Sequence, residues 1–343
     1  MNIVIRTDAS SIKDSSCQLR YFLTTYKGFQ GLKIDSNLIF GSSFHKVVET
    51  YDLTRGDKAL SIAEGLKYWE ENFIPGKTWV KDTAKHLNDG FLFMAANKYF
   101  AAHENKDIFR DCKVLEYAGE AMVEKKFSIL IYEEENVRVY LQGTIDKIVE
   151  MLKSGAIVIA DWKTSGAFKH DEYFEAYKMS PQLLVYALAI RKLSLMYPKS
   201  NLSKIFSNRN TIKAFIYGAF HSPTGIEFKR SPIFPYTETD LILFEKNLIE
   251  EIKILVKNVK WYEGTKEYPY PQGLINGACQ TQFGLCKFFG ACSKVNGVTT
   301  PDKNALFDSL LRTNYPVREY RPLNFGGGLE KKISPTTVVG EEQ

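Results

Sequence analysis

The sequence predicts a mixed α/β domain with one central sheet flanked by helices. Two observations carry this prediction. Apolar residues recur at helical spacing over residues 41–105. The segment 113–161 is instead rich in β-branched and aromatic residues, with stretches of alternating polarity that are typical of strands. Helical and strand patterns then follow one another to about residue 262, an order that favours helices packed around a single sheet.

The N-terminal third is predicted to be mainly helical. The first 40 residues indicate a short strand, a helix over 10–24 and a loop. A helix over 40–53 includes the small residues Gly41, Ser42 and Ser43, which are plausible capping residues. Further helices are expected over 58–73 and 82–104, so that 41–105 forms a helical insertion in the domain.

The middle of the chain indicates strands separated by polar turns. The turns at 133–136 and 153–155 divide the predicted strands 113–131, 137–151 and 156–161. The later elements are predicted as a helix over 173–195, a hairpin of 211–220 with 225–230, and a helix over 237–262. We therefore expect one domain over 1–297, followed by a polar tail over 298–343 that is flexible or orders with a partner.

Composition sets broad limits on function. The net charge of +5, from 45 basic and 40 acidic residues, permits nucleic-acid binding without predicting it. No apolar stretch approaches the ~20 residues of a membrane span, so we expect no membrane partner. Residues 1–11 carry no apolar signal-peptide core. The expected location is the cytoplasm, or the host cytoplasm if the protein is viral.

The strongest chemical signal is a pair of acidic motifs at predicted strand ends. Gly143 to Asp146 form G-x-x-D, and Asp161-Trp162-Lys163-Thr164 form D-x-K-T. Asp161 and Lys163 are two apart on a strand, so their side chains project from one face. Carboxylates are the usual ligands of Mg²⁺, and a nearby lysine can stabilise charge on a phosphate. D-x-K alone is common by chance; the preceding Asp146 makes it informative.

Two helical motifs add to this pair. His45 ends the motif G-x-x-x-H that starts at Gly41 and could supply an imidazole ligand. Gln182 and Tyr186 are four residues apart and share one helix face, which could meet the lysine or the DNA backbone. Taken singly, the histidine is more often a surface or core residue, and the Gln-Tyr face is more often an ordinary buried face.

In this order the four motifs resemble the RecB-like branch of the PD-(D/E)XK nucleases, over roughly residues 10–190. The resemblance implies a restriction-endonuclease-like core and a site for Mg²⁺ or Mn²⁺. The implied metal ligands are His45, Asp146, Asp161 and the backbone carbonyl of Trp162. Lys163 is implied to be catalytic together with Asp146 and Asp161, while Gln182 and Tyr186 support the site or touch DNA. Glu124, on the preceding strand, is a weaker candidate for a second metal or a structural role.

The cysteines form a second constellation. Cys279, Cys286 and Cys292 have the spacing C-x6-C-x5-C, Cys17 is far away in the chain, and Cys112 stands apart from both groups. Thiolates at loop spacings suit an iron–sulfur cluster or zinc. Disulfides are a poor explanation without a signal peptide. Simple packing of small buried cysteines is the remaining alternative.

Cys17 is followed by Arg20 and Tyr21, a setting that resembles the iron–sulfur branch of the same nucleases, similar to AddB nuclease domains and CRISPR adaptation exonucleases. The resemblance implies that Cys17, Cys279, Cys286 and Cys292 bind a [4Fe–4S] cluster that joins the N- and C-terminal segments. The first gap of the C-terminal trio is longer here than the usual C-x-x-C of that branch, and Zn²⁺ remains an alternative.

These motifs together predict a metal-dependent DNA nuclease. The expected activity is that of an exonuclease on single-stranded DNA or DNA ends in replication, recombination or repair. A structure-selective endonuclease, a CRISPR spacer-processing nuclease and a non-catalytic DNA-end clamp or assembly factor are the alternatives. The segment Gly76-Lys77-Thr78 lacks the upstream glycine of a phosphate loop, because Glu71 stands there. Any unwinding is therefore expected from a partner such as a helicase or recombination protein, and an oligomer remains open.

Overall fold

A computed structural model represents the 343-residue chain. It describes residues 3–31, 34–75, 78–80, 84–105, 108–167, 169–196, 201–206, 211–269, 277–281, 284–295 and 302–317. The chain divides into two compact units, and both are discontinuous in sequence. The first, which we call the terminal unit, contains the described residues within 1–32, 128–143 and 239–324. The second, which we call the central unit, contains those within 33–127 and 144–238.

Both units contain helices and strands, which are numbered in chain order. The helices are α1 (Ala9–Ile12), α2 (Gln18–Tyr21), α3 (Ser36–Leu53), α4 (Lys58–Asn72), α5 (Asp89–Glu104), α6 (His170–Lys178), α7 (Pro181–Met196), α8 (Asn201–Phe206), α9 (Glu238–Thr265), α10 (Phe289–Val295) and α11 (Asp302–Asn314). The strands are β1 (Ile3–Thr7), β2 (Ile34–Asp35), β3 (Thr78–Trp79), β4 (Cys112–Val114), β5 (Glu116–Tyr117), β6 (Glu120–Ala121), β7 (Val123–Glu134), β8 (Val137–Met151), β9 (Ile157–Ser165), β10 (Thr211–Ser222), β11 (Gly225–Arg230), β12 (Phe234–Thr237), β13 (Gln280–Thr281) and β14 (Gly284–Leu285).

The main sheet is mixed, as the sequence predicts. Strand β8 contributes residues to both units; it pairs in parallel with β1 through its first half and antiparallel with β9 through its second half. Strand β10 pairs in parallel with β9 and antiparallel with β11 and β12. The parallel pairing of β9 with β10 is possible because helices α6, α7 and α8 provide the long connection that a parallel crossover needs.

The terminal unit is built from both ends of the chain. Its long helix α9 buries Leu248, Ile252, Leu255 and Val259, which recur every three or four residues and so define one apolar face. The hydroxyl groups of Thr7 and Tyr21 lie 3.0 Å apart in the same unit. The N-terminal strand and the C-terminal helices therefore share one small core.

The central unit contains the helical insertion and most of the sheet. Helices α3, α4 and α5 begin where Asp35, Asp57 and Asn88 accept hydrogen bonds from main-chain N–H groups of the first turn. Helices α3 and α4 approach closely because Gly65 has no side chain; a Cβ there would lie 2.3 Å from Val47. Phe44, Tyr99 and Trp162 lie in the resulting core, and the Phe44 and Trp162 rings meet edge to face at 5.7 Å.

Several element boundaries differ from the prediction for local reasons. The helix predicted over 10–24 is broken into short helical segments, because Cys17 adopts an extended conformation with φ −132°. Helix α5 starts at Asp89 and not at residue 82, since Asn88 provides its cap. The strand predicted over 113–131 is interrupted by a tight turn in which Ala118 and Gly119 both have positive φ.

The segment predicted as a polar tail contains one helix. In α11 the side chains of Phe307 and Leu311 are buried at a spacing of four residues, which gives the helix an apolar face despite its polar composition. Residues 298–301 and 318–343 of that predicted tail lie outside the described residues. The domain boundaries at 297 and 298 stay a prediction. Within the described ranges, no helix combines the length and the apolar character that crossing a bilayer requires.

Candidate metal-dependent active site

The two acidic motifs come together on neighbouring strands of the central unit. The antiparallel register that pairs Lys147 of β8 with Ala160 of β9 brings Asp146 beside the D-x-K motif. The main-chain N–H of Trp162 donates a hydrogen bond to Asp146 Oδ2 at 2.8 Å. Asp161 is fully buried, while Asp146 keeps a small exposed fraction. Two carboxylates from different strands therefore face the same space.

His45 reaches this space from helix α3. Its Nε2 lies 2.8 Å from the carbonyl oxygen of Trp162, and its Nδ1 lies 3.4 Å from Asp146 Oδ2. A carbonyl oxygen can only accept a hydrogen bond, so Nε2 carries a proton; in the neutral ring, which the lowered pKa of His45 favours, the Nδ1 lone pair then faces the carboxylate. Two electron-rich atoms that face each other favour a cation between or beside them.

The approach of α3 to β9 depends on the first glycine of the G-x-x-x-H motif. A Cβ on Gly41 would lie 2.8 Å from Thr164 Oγ1, closer than unstrained side chains come. The missing side chain therefore lets the start of α3 sit against the threonine of D-x-K-T. One turn later, His45 points at the Trp162 carbonyl. The glycine of one motif and the threonine of another are thus explained by a single contact.

Lys163 already provides a positive charge among these oxygens. Its ammonium forms an ion pair with Asp161 Oδ2 and donates to the Trp162 carbonyl at 3.0 Å. Asp161 Oδ2 accepts no well-formed hydrogen bond from any described residue, although it contacts the ammonium. Asp161 and Lys163 therefore share one site, as their alternation on the strand predicts.

Helix α7 holds the other oxygen of Asp161. The Gln182 side-chain amide donates to Asp161 Oδ1 at 3.0 Å and to the Tyr186 hydroxyl at 2.8 Å. Tyr186 is itself buried, and its ring meets Phe127 edge to face at 6.2 Å. The Gln-x-x-x-Tyr motif thus touches the acid and not the lysine, and it fixes the orientation of the Asp161 carboxylate.

Burial and mutual charge set the protonation of the site. Burial lowers the pKa of His45 to about 4, helped by the Lys163 charge, so the imidazole is neutral near pH 7. Burial raises the pKa of Asp161 to about 6, although Lys163 works against this. The pKa of Lys163 is raised because Asp161 and Asp146 outweigh burial, which lowers it. A neutral imidazole next to two carboxylates is the form that binds a divalent cation.

Glu124 lies within the electrostatic reach of the same site. Burial, followed by the charges of Asp146 and Glu49, raises the pKa of Glu124 to about 8. Its backbone has φ +50°, a strained conformation for a residue other than glycine that costs about 1 kcal/mol. The carboxyl group is therefore held near Asp146 at some cost in backbone energy, which is typical of functional sites.

Other groups around the site were not singled out from the sequence. Lys147 forms an ion pair with Asp52 of α3, and both side chains are about 95% buried. This ion pair joins α3 to β8 directly beside Asp146. In the sequence, the feature that could have indicated it is a lysine on the apolar side of a predicted strand. Tyr173 and Tyr177 of α6 form a second group, since the phenol of Tyr177 is near enough to affect the pKa of Lys163.

All four predicted cluster cysteines lie in the terminal unit. Hairpin β13–β14 brings Cys279 and Cys286 together, with a hydrogen bond of 2.8 Å from Cys286 N–H to the Cys279 carbonyl. Burial raises the pKa of the Cys292 thiol to about 12, and the nearby Cys286, Cys17 and Cys279 raise it further. The distant Cys17 thus lies within electrostatic reach of Cys279 and Cys292 of the C-terminal trio.

Arg20 explains how the two cysteine segments meet. Its guanidinium donates to the Ala278 carbonyl at 3.3 Å and to Ser16 Oγ at 2.7 Å, and it pairs with Asp14 at 3.0 Å. Lys287 also pairs with Asp14, at 3.3 Å. The arginine three residues after Cys17 therefore docks that cysteine against the segment that carries Cys279.

Neither the acidic site nor the cysteine group is arranged as a complete set of metal ligands. Across the described ranges, no three His, Cys, Asp or Glu side chains are grouped so that they could hold a metal ion. In the central unit, the Lys163 ammonium contacts the Asp161 carboxylate. All the site residues predicted from sequence lie in their expected groups; their chemical roles stay predictions.

Comparisons with known proteins identify the family. The PD-(D/E)XK nuclease superfamily matches residues 14–281, well over half of the chain. A search of curated proteins gives no match. One solved structure, described as "Crystal structure of SSO0001", is 13% identical, with 70% of this chain and 84% of that chain covered and a TM-score of 0.24, a likeness too low to support an argument. The chain therefore belongs to the PD-(D/E)XK nuclease superfamily.

Proposed function

We propose that this protein is a metal-dependent DNA nuclease that acts as an exonuclease on single-stranded DNA or DNA ends. The observation that carries the proposal is the convergence of His45, Asp146, Asp161 and Lys163 around the carbonyl of Trp162. In a chain of a nuclease superfamily, these are the groups that hydrolysis of a phosphodiester bond requires.

The donor set fits Mg²⁺ or Mn²⁺. It contains two carboxylates, one main-chain carbonyl oxygen and one neutral imidazole, which are mainly hard ligands. A cation would satisfy the His45 lone pair that faces Asp146 at 3.4 Å. It would also take the place of the Lys163 ammonium at the buried Asp161 Oδ2. A bound divalent ion would activate a water molecule and offset phosphate charge. Glu124 and Glu49 would add oxygen ligands or retain water next to it.

The protein side chains would then have separate tasks. His45, Asp146, Asp161 and the Trp162 carbonyl hold the metal. Lys163 leaves its ion pair with Asp161 and places its ammonium against the scissile phosphate, where it stabilises the charge that develops during attack. Gln182 and Tyr186 keep the Asp161 carboxylate oriented throughout.

We also propose that Cys17, Cys279, Cys286 and Cys292 bind a [4Fe–4S] cluster. Their proximity in the terminal unit, and the docking of Arg20 on the Ala278 carbonyl, support this proposal. Four soft thiolates suit an iron–sulfur cluster and would also suit zinc. Either group would need deprotonated thiols, so metal binding would reverse the raised pKa values of Cys279 and Cys292.

Digestion of end-labelled DNA tests the proposed activity. Single- and double-stranded substrates with free or blocked ends are incubated with the purified protein in Mg²⁺ or Mn²⁺. An exonuclease releases labelled mononucleotides or short products from free ends and is stopped by blocked ends. Internal cuts at branches or in blocked substrates would instead identify an endonuclease. Tight binding of DNA ends without any cleavage would identify a non-catalytic clamp and reject the proposal.

A further inference from the structure

A directional chain of hydroxyl groups runs along helix α6 toward Lys163. Ser165 Oγ accepts a hydrogen bond from the Ala167 N–H at 3.1 Å. Tyr173 lies beside Ser165, because its ring meets Phe220, the residue paired with Ser165, at 5.3 Å. The Ser165 proton is therefore available to the Tyr173 hydroxyl, whose pKa Ser165 lowers. Tyr173 donates in turn to the Tyr177 hydroxyl at 3.3 Å. Each oxygen accepts from the group before it, and each proton therefore points to the group after it.

The last donor of the chain has no acceptor. Tyr177 continues the row on α6, with its ring 5.0 Å from that of Tyr173, and its phenol helps to raise the pKa of Lys163, whose ammonium carries only donors. Among the described residues, we find no acceptor for the Tyr177 hydroxyl proton. The Tyr177 side chain is only half buried and the Lys163 side chain is 18% exposed, so solvent or a ligand can reach both groups.

Helix α6 is fixed firmly enough to hold this donor in place. Phe174 is buried against Phe220 with ring centroids 5.5 Å apart, and Tyr173 meets the same ring edge to face at 5.3 Å. Gly218, the residue of β10 paired with Lys163, leaves the necessary room, because a Cβ there would lie 3.1 Å from Phe174 and 2.5 Å from Phe220. The helix and the lysine strand are therefore packed as one piece.

We propose that the Tyr177 hydroxyl donates a hydrogen bond to a non-bridging phosphate oxygen of the bound DNA strand, with Tyr173 and Ser165 holding that hydroxyl in the donating orientation. An ammonium and a hydroxyl donor side by side match two oxygens of one phosphodiester. The inference rests on the proposed function and adds to it a substrate-contacting residue outside the four motifs. Tyr177 touches the substrate, whereas Tyr173 acts through Tyr177 as a positioning residue.

The test compares Tyr177→Phe, Tyr173→Phe and the double variant with Tyr68→Phe as the matched control. Tyr68 is a half-buried tyrosine of α4 with no side-chain hydrogen bond to the site. The kcat/KM on an end-labelled single-stranded oligonucleotide is measured in Mn²⁺, binding of the same oligonucleotide is measured in Ca²⁺, and thermal midpoints are recorded. Each substitution keeps the aromatic ring, so folding should be preserved.

We expect Tyr177→Phe to lower kcat/KM about tenfold, as loss of a hydrogen bond to a charged group does, with an unchanged thermal midpoint. Tyr173→Phe should lower kcat/KM about threefold. The double variant should have the same kcat/KM as Tyr177→Phe, because the Tyr173 hydroxyl acts through that of Tyr177. In the Ca²⁺ binding assay, an oligonucleotide in which a methylphosphonate replaces the contacted phosphate should abolish the difference in affinity between wild type and Tyr177→Phe.

Two results would overturn the inference while leaving the nuclease activity in place. One is a Tyr177→Phe enzyme as active as Tyr68→Phe. The other is a double variant whose loss in kcat/KM equals the product of the losses of Tyr177→Phe and Tyr173→Phe. A wild-type protein that binds DNA in Ca²⁺ but never cleaves would reject the proposed activity alone, provided that Tyr177→Phe still weakens binding. A wild-type protein that neither binds nor cleaves DNA would reject both.

Discussion

At the scale of single residues, a main-chain oxygen organises the candidate site. The Trp162 carbonyl accepts hydrogen bonds from both His45 and Lys163, and the N–H of the same residue binds Asp146. The Trp162 side chain points the other way and stacks on Tyr217 at 4.8 Å. Its burial therefore holds the peptide that the three functional side chains share, which explains why a large aromatic residue suits the middle of D-x-K.

Replacement of His45 by alanine should weaken metal binding more than folding. The ring is partly exposed and its neighbours are polar, so its removal leaves no apolar cavity. We expect the Mn²⁺ concentration for half-maximal activity to rise about tenfold or more, with little change in thermal midpoint. His103→Ala, which truncates another half-buried helical histidine, serves as the control. An unchanged metal requirement would remove His45 from the site.

At the scale of elements, the contact between α3 and β9 controls the position of His45. Gly41→Ala should push α3 away from Thr164, because the new Cβ would lie 2.8 Å from Oγ1. We expect lower activity and a loss of about 1–3 kcal/mol in stability, as overpacking commonly costs. Catalytic rates and urea denaturation curves measure both effects.

The same contact offers a built-in control and rescue. Thr164→Ala removes the clashing hydroxyl, so the double variant should recover most of the stability lost by Gly41→Ala. Gly264→Ala in α9 meets nothing within 4 Å and should be neutral or stabilising, since alanine favours helix. If Gly41→Ala costs as much stability in the Thr164→Ala background as in the wild type, the proposed contact is contradicted.

The end of β10 should make stability depend on pH. His221 is buried, and its Nδ1 lies 3.1 Å from Nε2 of His86. Burial, then the charge of His86, lowers the pKa of His221 to about 4. A lowered folded-state pKa favours the neutral ring, so this stability is complete above about pH 6.5 and is lost as pH falls toward about 4.

Replacement of His221 by asparagine isolates that contribution. Thermal midpoints are compared between about pH 7.5 and about pH 4.5, a range that includes the unfolded-state pKa of 6.5 and most of the interval down to the folded-state value of about 4. We expect the wild-type midpoint to fall more steeply with acidification than that of His221→Asn. Parallel curves would show that the histidine pair does not titrate in this range.

The sequence predicts element types well and their boundaries less well. Long patterned segments such as α4 and α9 have the predicted type because an apolar face at helical spacing is a local signal. The interruption at Cys17 and the turn at Ala118 and Gly119 are local changes of backbone conformation, and the pattern of apolar residues did not locate them. His45 and Asp161 belong to sequence motifs and could be predicted as site residues. Tyr177 and Lys147 lie outside those motifs, so only the fold connects them with the site.

At the scale of the whole molecule, both ends of the chain contribute to one unit. Cys17 and Cys279 are separated by most of the sequence, yet Arg20 and Lys287 join their segments. A metal group bound there would close a very long loop and contribute directly to folding. Without a metal group, the two segments are joined by the largely buried Arg20 contacts and by the more exposed pair of Lys287 with Asp14, which contributes little by itself.

Purified without air, the protein should therefore be brown and contain about four iron atoms per chain, as a Cys₄ cluster implies. Cys17→Ser should lose iron and unfold at lower temperature. Cys112→Ser should do neither, because Cys112 lies in the central unit with its sulfur 3.0 Å from the Tyr217 hydroxyl. A colourless protein that contains one zinc ion would show that zinc binds in place of the cluster, while the metal link between the two segments would still stand. A metal-free protein with a reactive Cys17 would reject the metal site entirely.

The central claim is that Asp161 and Lys163 perform phosphodiester hydrolysis at the site shared with Asp146. The most direct measurement is the cleavage rate of end-labelled single-stranded DNA in Mn²⁺ by Asp161→Ala and Lys163→Ala, with DNA binding measured in parallel and the exposed Lys153→Ala as control. Loss of a metal ligand or of the phosphate-stabilising charge should slow cleavage by ~10²-fold or more while binding is largely kept. Wild-type cleavage rates in either variant, in preparations free of contaminating nuclease, would contradict this assignment of the active site.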